Sequence, residues 1–154
     1  MQDFIAEPNL ESLGIPDIEI GELRIWTHSR KYPKSNNFWD VNWLNITVYV
    51  KTMNANVWVS GDIIHNTEIA EWLAEIENLD KDLLDEVNLI TMERCVKLRI
   101  ASQTYQRVSI EVDFFPNDRF QTHHFEFWFD KECLKDLINS CHSILIKFPI
   151  TGNR

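Results

Sequence analysis

The chain is poor in the residues that interrupt or cross-link a fold: its 154 residues hold four glycines, five prolines and three cysteines. So little Gly and Pro excludes a collagen-like or linker composition. The isolated Gly14, Gly21, Gly61 and Gly152 build no glycine-rich phosphate loop. Cys95, Cys133 and Cys141 are odd in number and form no C-x-x-C pair, which argues against a disulfide framework or zinc knuckle and leaves buried thiols. Cations are short as well, with 15 Lys and Arg against 24 Asp and Glu, for a net charge of −9 and a pI near 4.9. This balance argues against a nucleic-acid binder that neutralises phosphates and against a polybasic membrane-surface protein. No apolar run approaches the roughly 20 residues that span a bilayer. Residues Met1 to Leu10 carry no Lys or Arg ahead of an apolar stretch, as a secretory signal would. A soluble cytoplasmic protein is expected.

What is present is core-forming material: 44% hydrophobic residues, 12% aromatic, and six tryptophans. That content suits one domain over residues 1–154, of which 1–21 read as an irregular acidic lead-in and 22–148 as the sheet-and-helix core. The lead-in carries Asp3, Glu7, Glu11, Asp17 and Glu19, with Pro8 and Pro16 as helix breakers.

From Glu22 onward the apolar period is two. Leu23 and Ile25 face one way, Arg24, Trp26 and His28 the other. Leu44 to Lys51 alternates most clearly, and Asn54-Ala55-Asn56 turns it into a second run through Val57, Val59 and Ile63. The period then becomes helical. Ile69, Trp72, Leu73, Ile76 and Leu79 form one stripe, Glu68, Glu71 and Glu75 the opposite face, and Asn66 or Thr67 can cap a helix from about Thr67 to Asn78. Residues Asp80 to Glu86 read as a further helical turn. Three more strands follow around Val96–Ile100, Val108–Phe114 and His124–Phe129. A closing helix runs through Leu134, Leu137, Cys141 and Leu145, with Asp130 at the capping position and Pro149 as its stop. The pattern predicts an α+β fold: a mostly antiparallel, curved sheet of about six strands, with one amphipathic helix mid-chain and one C-terminal helix packed on it.

Catalytic signals are weak. His124 and Glu126 share a strand face beside His123, but a metal needs a third ligand, and His28 supplies one only if its strand lies alongside. No metal or other cofactor is expected. Cys141 and His142 are adjacent in sequence and so point about 100° apart on a helix, and Cys133 and Cys141 belong to or flank the apolar stripe. Glu111, Asp113 and Glu126 offer only the carboxylate pairs that any solvated sheet face offers. No catalytic residue is assigned, and no turnover is expected.

Two surface features stand out. From Glu68 to Glu86 eight acidic side chains face the single Lys81, so this stretch is either a solvated face or a docking surface for a basic protein. The polar strand face carries Trp26, Tyr49, Trp58 and Trp128 among Arg24, Lys51, Lys97, Arg99 and Arg107, the residue types enriched at interface hot spots. These rings are either exposed for binding or covered by the lead-in or a loop as a second small core.

The segment Phe38-Trp39-Asp40-Val41-Asn42-Trp43-Leu44-Asn45-Ile46 resembles the signature of the WapI-type immunity proteins, in which an aspartate and then an Asn-Trp-Leu triplet lead into a strand. Order and spacing extend the likeness over roughly residues 20 to 148, through the Thr67-Glu68 helix start, the Leu98 to Phe114 hairpin and the Phe125 to Leu145 strand and helix. Gln103-Thr104-Tyr105-Gln106 stands where a glycine-containing turn is expected. The resemblance implies a bacterial antitoxin that blocks a cognate toxin, often a nuclease and so basic, with no catalytic residues of its own. In the motif, Asp40 and Asn42 are suited to side-chain turns and Trp43 to packing over the sheet edge, with Leu44 as the first strand residue. The alternative is a small intracellular ligand-binding or regulatory domain. Oligomeric state is not legible.

Overall fold

The computed structural model describes residues 9–117 and 120–154, so the part of the lead-in with Asp3, Glu7 and Pro8 lies outside the described residues. The elements are α1 (Leu10–Leu13), β1 (Ile18–Ile20), β2 (Leu23–Arg30), α2 (Phe38–Val41), β3 (Trp43–Lys51), β4 (Asn56–His65), α3 (Asn66–Asp80), β5 (Glu86–Ile90), β6 (Val96–Gln103), β7 (Arg107–Asn117), β8 (Gln121–Asp130) and α4 (Cys133–Lys147). The α+β class and antiparallel pairing agree with the sequence reading, but the single six-stranded sheet is corrected to two four-stranded meanders, β1-β2-β3-β4 (sheet A) and β5-β6-β7-β8 (sheet B). The break falls at α3, which separates β4 from β5.

Two short strands account for the difference in number. β1 lies within the lead-in, where Asp17 Oδ2 accepts the Thr27 backbone N–H at 2.6 Å and the Thr27 hydroxyl at 2.7 Å, tying the approach to β1 onto β2. β5 occupies the end of the acidic stretch expected to be helical. There Asp82 adopts a left-handed φ of 60°, which ends α3 beyond its Lys81 cap and releases the chain into a strand. At the last helix, Glu132 rather than Asp130 takes the N-cap position, because Asp130 still belongs to β8. Pro149 acts as expected: the residue before proline is disfavoured in the α region, and α4 ends with Phe148 as its cap.

The inward faces of both sheets meet the stripes of α3 and α4 in one hydrophobic cluster. Leu44, Ile46 and Val48 of sheet A, Leu98, Ile100 and Ile110 of sheet B, Trp72 and Ile76 of α3 and Leu137 and Ile144 of α4 all belong to it. Burying side chains of this size contributes about 1.5–3 kcal/mol each, so the period-two and period-3.6 stripes suffice to hold helices on sheets. The sheets also touch at a turn. Gly21 between β1 and β2 has φ +56°, and a Cβ there would fall 2.4 Å from Cζ of Phe129 on β8, so both the backbone and the neighbouring ring require glycine.

Candidate functional site

The acidic surface is built on α3. Its inner stripe, Ile69, Trp72, Leu73, Ile76 and Leu79, is buried, which turns Glu71 and Glu75 outward to solvent. Glu68 does a different job. The helix starts at Asn66 with His65 as N-cap, in place of the expected Asn66 or Thr67, and Glu68 Oε2 accepts the His65 N–H at 2.7 Å. Burial is the main influence on that carboxyl and raises its pKa, so Glu68 is a half-buried structural cap. Other acids of the stretch have internal partners: Glu77 pairs with His142 at 3.1 Å, Asp82 with Lys131, and Glu86 with Arg99. Among the described residues no ion pair engages Glu71, Glu75, Asp80 or Asp85. Beyond the end of α3 the surface opens into a groove of about 570 Å³ lined by Asp80, Asp82, Asp130 and Glu132, with Lys131 and Lys135. Tyr105, 94% exposed, stands at its edge, on a turn whose Tyr105 and Gln106 both have φ near +60°, the left-handed pair that a type I′ turn needs.

The aromatic strand face expected from the sequence is two faces on two sheets. On sheet A, Arg24, Tyr49 and Trp58 lie in one cross-strand row and Trp26, Thr47 and Ser60 in the next. Trp26 is only 3% exposed and Tyr49 1%. The lead-in reaches Trp26, whose indole N–H donates to the Gly14 carbonyl at 3.1 Å. Trp26 and Tyr49 therefore leave the set of exposed candidates. Trp58 is half-buried. On sheet B, Trp128 remains 45% exposed, with the Arg107 guanidinium 5.6 Å from its ring centroid and its indole N–H donating to Glu126 Oε1 at 2.9 Å.

Around Trp128 lies a ladder of polar side chains. Arg99, Glu111 and Glu126 face one another across β6, β7 and β8, and Lys97, Asp113 and His124 form the next row. Asp113 Oδ1 is 2.7 Å from His124 Nδ1, and this hydrogen bond is the largest cause of the imidazole's raised pKa. His28, considered above as a third ligand beside His124, instead sits on sheet A with Nε2 2.7 Å from the Thr47 hydroxyl. His123 points to the opposite side of β8 from His124, paired with the buried Phe114. Burial pushes the Cys133 thiol up to about 11 and the Cys141 thiol up to about 12, so neither supplies a thiolate near neutral pH.

The motif Asp40 to Leu44 forms the other polar concentration. The side-chain turn expected of Asp40 is made by Asn37, whose Oδ1 accepts the N–H groups of Trp39 (2.9 Å) and Asp40 (3.2 Å) and caps α2. Asn42 is fully buried. Its Nδ2 donates to the carbonyls of Phe38 (2.9 Å) and Thr151 (2.8 Å), and its Oδ1 accepts from the Thr151 N–H (3.0 Å), Asn66 Nδ2 (3.2 Å) and Arg30 (3.3 Å). Trp43 starts β3 half-buried, with the Lys31 ammonium 5.0 Å from its ring centroid, and Leu44 is core. Sequence reasoning missed Asn42's partners Arg30 and Asn66, because local spacing carries no sign of contacts so far along the chain. The model of the immunity protein WapI-like family matches residues 15–149. The chain belongs to that family. No curated protein and no solved structure matches it. In this member of the WapI-like family, Asn42 of the Asn-Trp-Leu motif is hydrogen-bonded to Phe38 of α2, Asn66 of α3 and Thr151. Among the described residues, no helix is long and apolar enough to cross a membrane.

Proposed function

We propose that this WapI-like family member is a single-domain, cytoplasmic antitoxin that neutralises a cognate bacterial toxin by direct stoichiometric binding, without turnover. The toxin domain is basic and of nuclease type. The carrying observation is the outer face of α3, where Glu71 and Glu75 project to solvent without an ion-pair partner among the described residues, and the groove at the helix end adds four further acids. A nuclease must hold a polyanion and so presents a basic surface, against which this field speeds encounter and selects the partner. Glu71, Glu75, Trp58 and Trp128 are the proposed contacts, with neither nucleic acid nor membrane as partner. Glu68 contributes by holding the start of the helix.

Co-purification with the product of the neighbouring gene, followed by stopped-flow association, tests the reading. The double substitution Glu71→Lys and Glu75→Lys should slow association at least about tenfold at low salt and flatten its salt dependence. Unchanged kinetics would remove α3 from the interface. The ligand-binding alternative has little support from the interior. The cavity between sheets and helices, lined among others by Ile25, Ile46, Leu89 and Leu98, has about 20 Å³, against the roughly 300 Å³ or more of small-molecule sites.

A further inference from the structure

The outward face of sheet B brings together three side chains that no single stretch of sequence displays. Glu111 on β7 and His124 and Glu126 on β8 each offer one ligand atom, and these atoms all lie within 4.8 Å of one another. His124 Nε2 stands 3.8 Å from Glu111 Oε1. Tetrahedral zinc, with ligands at roughly 2.0–2.2 Å, needs about 3.3 Å between ligand atoms, so small side-chain rotations close the set.

What separates this group from an ordinary polar patch is how each member is held. Asp113 Oδ1 accepts a hydrogen bond from His124 Nδ1–H at 2.7 Å, which in the neutral ring leaves the lone pair on Nε2, 3.8 Å from Glu111 Oε1. Arg99 donates to Glu111 Oε2, leaving Oε1 toward His124. The Trp128 indole N–H donates to Glu126 Oε1 at 2.9 Å and so anchors that carboxylate by one oxygen. Three neighbours thus each hold one atom of a ligand side chain, as the groups around bound metals do. Glu86 also engages Arg99, so the guanidinium keeps an anionic partner when Glu111 turns to a cation.

We infer that Glu111, His124 and Glu126 form a binding site for a divalent transition-metal ion of the zinc type, oriented by Asp113, Arg99 and Trp128. One imidazole with two carboxylates suits zinc better than calcium or magnesium, which take oxygen ligands. Three protein ligands leave a fourth position open.

The test is isothermal titration of untagged full-length protein with zinc chloride, repeated with cobalt(II) to read the visible absorption of a low-symmetry site. One equivalent should bind saturably. His124→Ala and Glu126→Gln should each weaken binding at least tenfold, and Asp113→Asn about 10–100-fold. His123→Ala, on the opposite face of the same strand, should bind as wild type does. All four positions are outside the core cluster, and circular dichroism verifies that each variant is folded. No saturable binding to the wild type, or equal binding by wild type and His124→Ala, overturns the site. Equal losses in His123→Ala and His124→Ala overturn it as well.

Discussion

The outward faces of the two sheets share the same alternation and have opposite surroundings. On sheet A the polar side carries Trp26, Thr47 and Tyr49, all buried, with the lead-in reaching Trp26 through the Gly14 carbonyl. On sheet B it carries Arg99, Glu111, His124, Glu126 and Trp128, with Trp128 and the ladder beside it reaching solvent. Alternation thus identifies which side chains share a face and leaves open whether a further layer covers it. Charge content marks the difference: a row of ion-paired carboxylates stays wet because burying it would cost desolvation, whereas tryptophan and tyrosine gain from a covering segment that satisfies their polar atoms.

The largest test of this contrast is paired truncation. Trp26→Ala should lower the unfolding free energy in urea by about 3–5 kcal/mol, as for a buried aromatic, while Trp128→Ala should cost less than about 1 kcal/mol. Similar losses would mean that the two faces are equally integral to the fold. Binding should show the reverse order, with Trp128→Ala weakening the toxin complex by about 2 kcal/mol if this ring is a hot spot. An unchanged affinity would leave sheet B's open face without a role in that complex.

Smaller effects belong to the hairpin tips. Gln106→Gly should stabilise sheet B by about 0.5–1 kcal/mol in the same urea titration, since glycine adopts the left-handed φ of 56° without the Cβ penalty. Ala55→Gly at the β3–β4 turn, where φ is not positive, should bring no gain. The subtlest effect is a pH dependence at the end of sheet A. His65 is fully buried, with Nε2 2.9 Å from the Trp39 carbonyl and Nδ1 2.7 Å from the Thr67 hydroxyl, and burial above all lowers its pKa. Above about pH 6.5 both folded and unfolded chains keep the ring neutral and the packing is undisturbed. As pH falls below that value the unfolded chain takes up a proton that the folded one resists, so stability declines. Comparing thermal melts of wild type and His65→Gln from pH 7.5 to 5 should show a steeper fall for wild type, and parallel profiles would discount His65.

Much of this architecture is written in local periods. Strands β2, β3, β4, β6, β7 and β8 follow from the period of two, and the stripes of α3 and α4 from helical spacing. β1 and β5 are hard to see, being three and five residues long and set in acidic stretches. The division into two sheets is not local at all, since a strand's period says nothing about which edge it joins. The candidate surfaces divide in the same way. Glu71 and Glu75 are readable from a helical wheel, whereas the burial of Trp26 depends on where the lead-in travels. Glu111 meets His124 and Glu126 only through the register of β7 on β8.

The bonds of Asn42 have a consequence for how the chain is made. The side chain that opens the Asn-Trp-Leu motif exchanges two hydrogen bonds with the backbone of Thr151, 109 residues later. During synthesis the first sheet can therefore form its ladder early, while this polar joint waits until Thr151 has left the ribosome. Closure of this joint falls on a few residues after α4, and a stop codon only slightly upstream of Thr151 would leave the buried Asn42 amide without two of its hydrogen bonds.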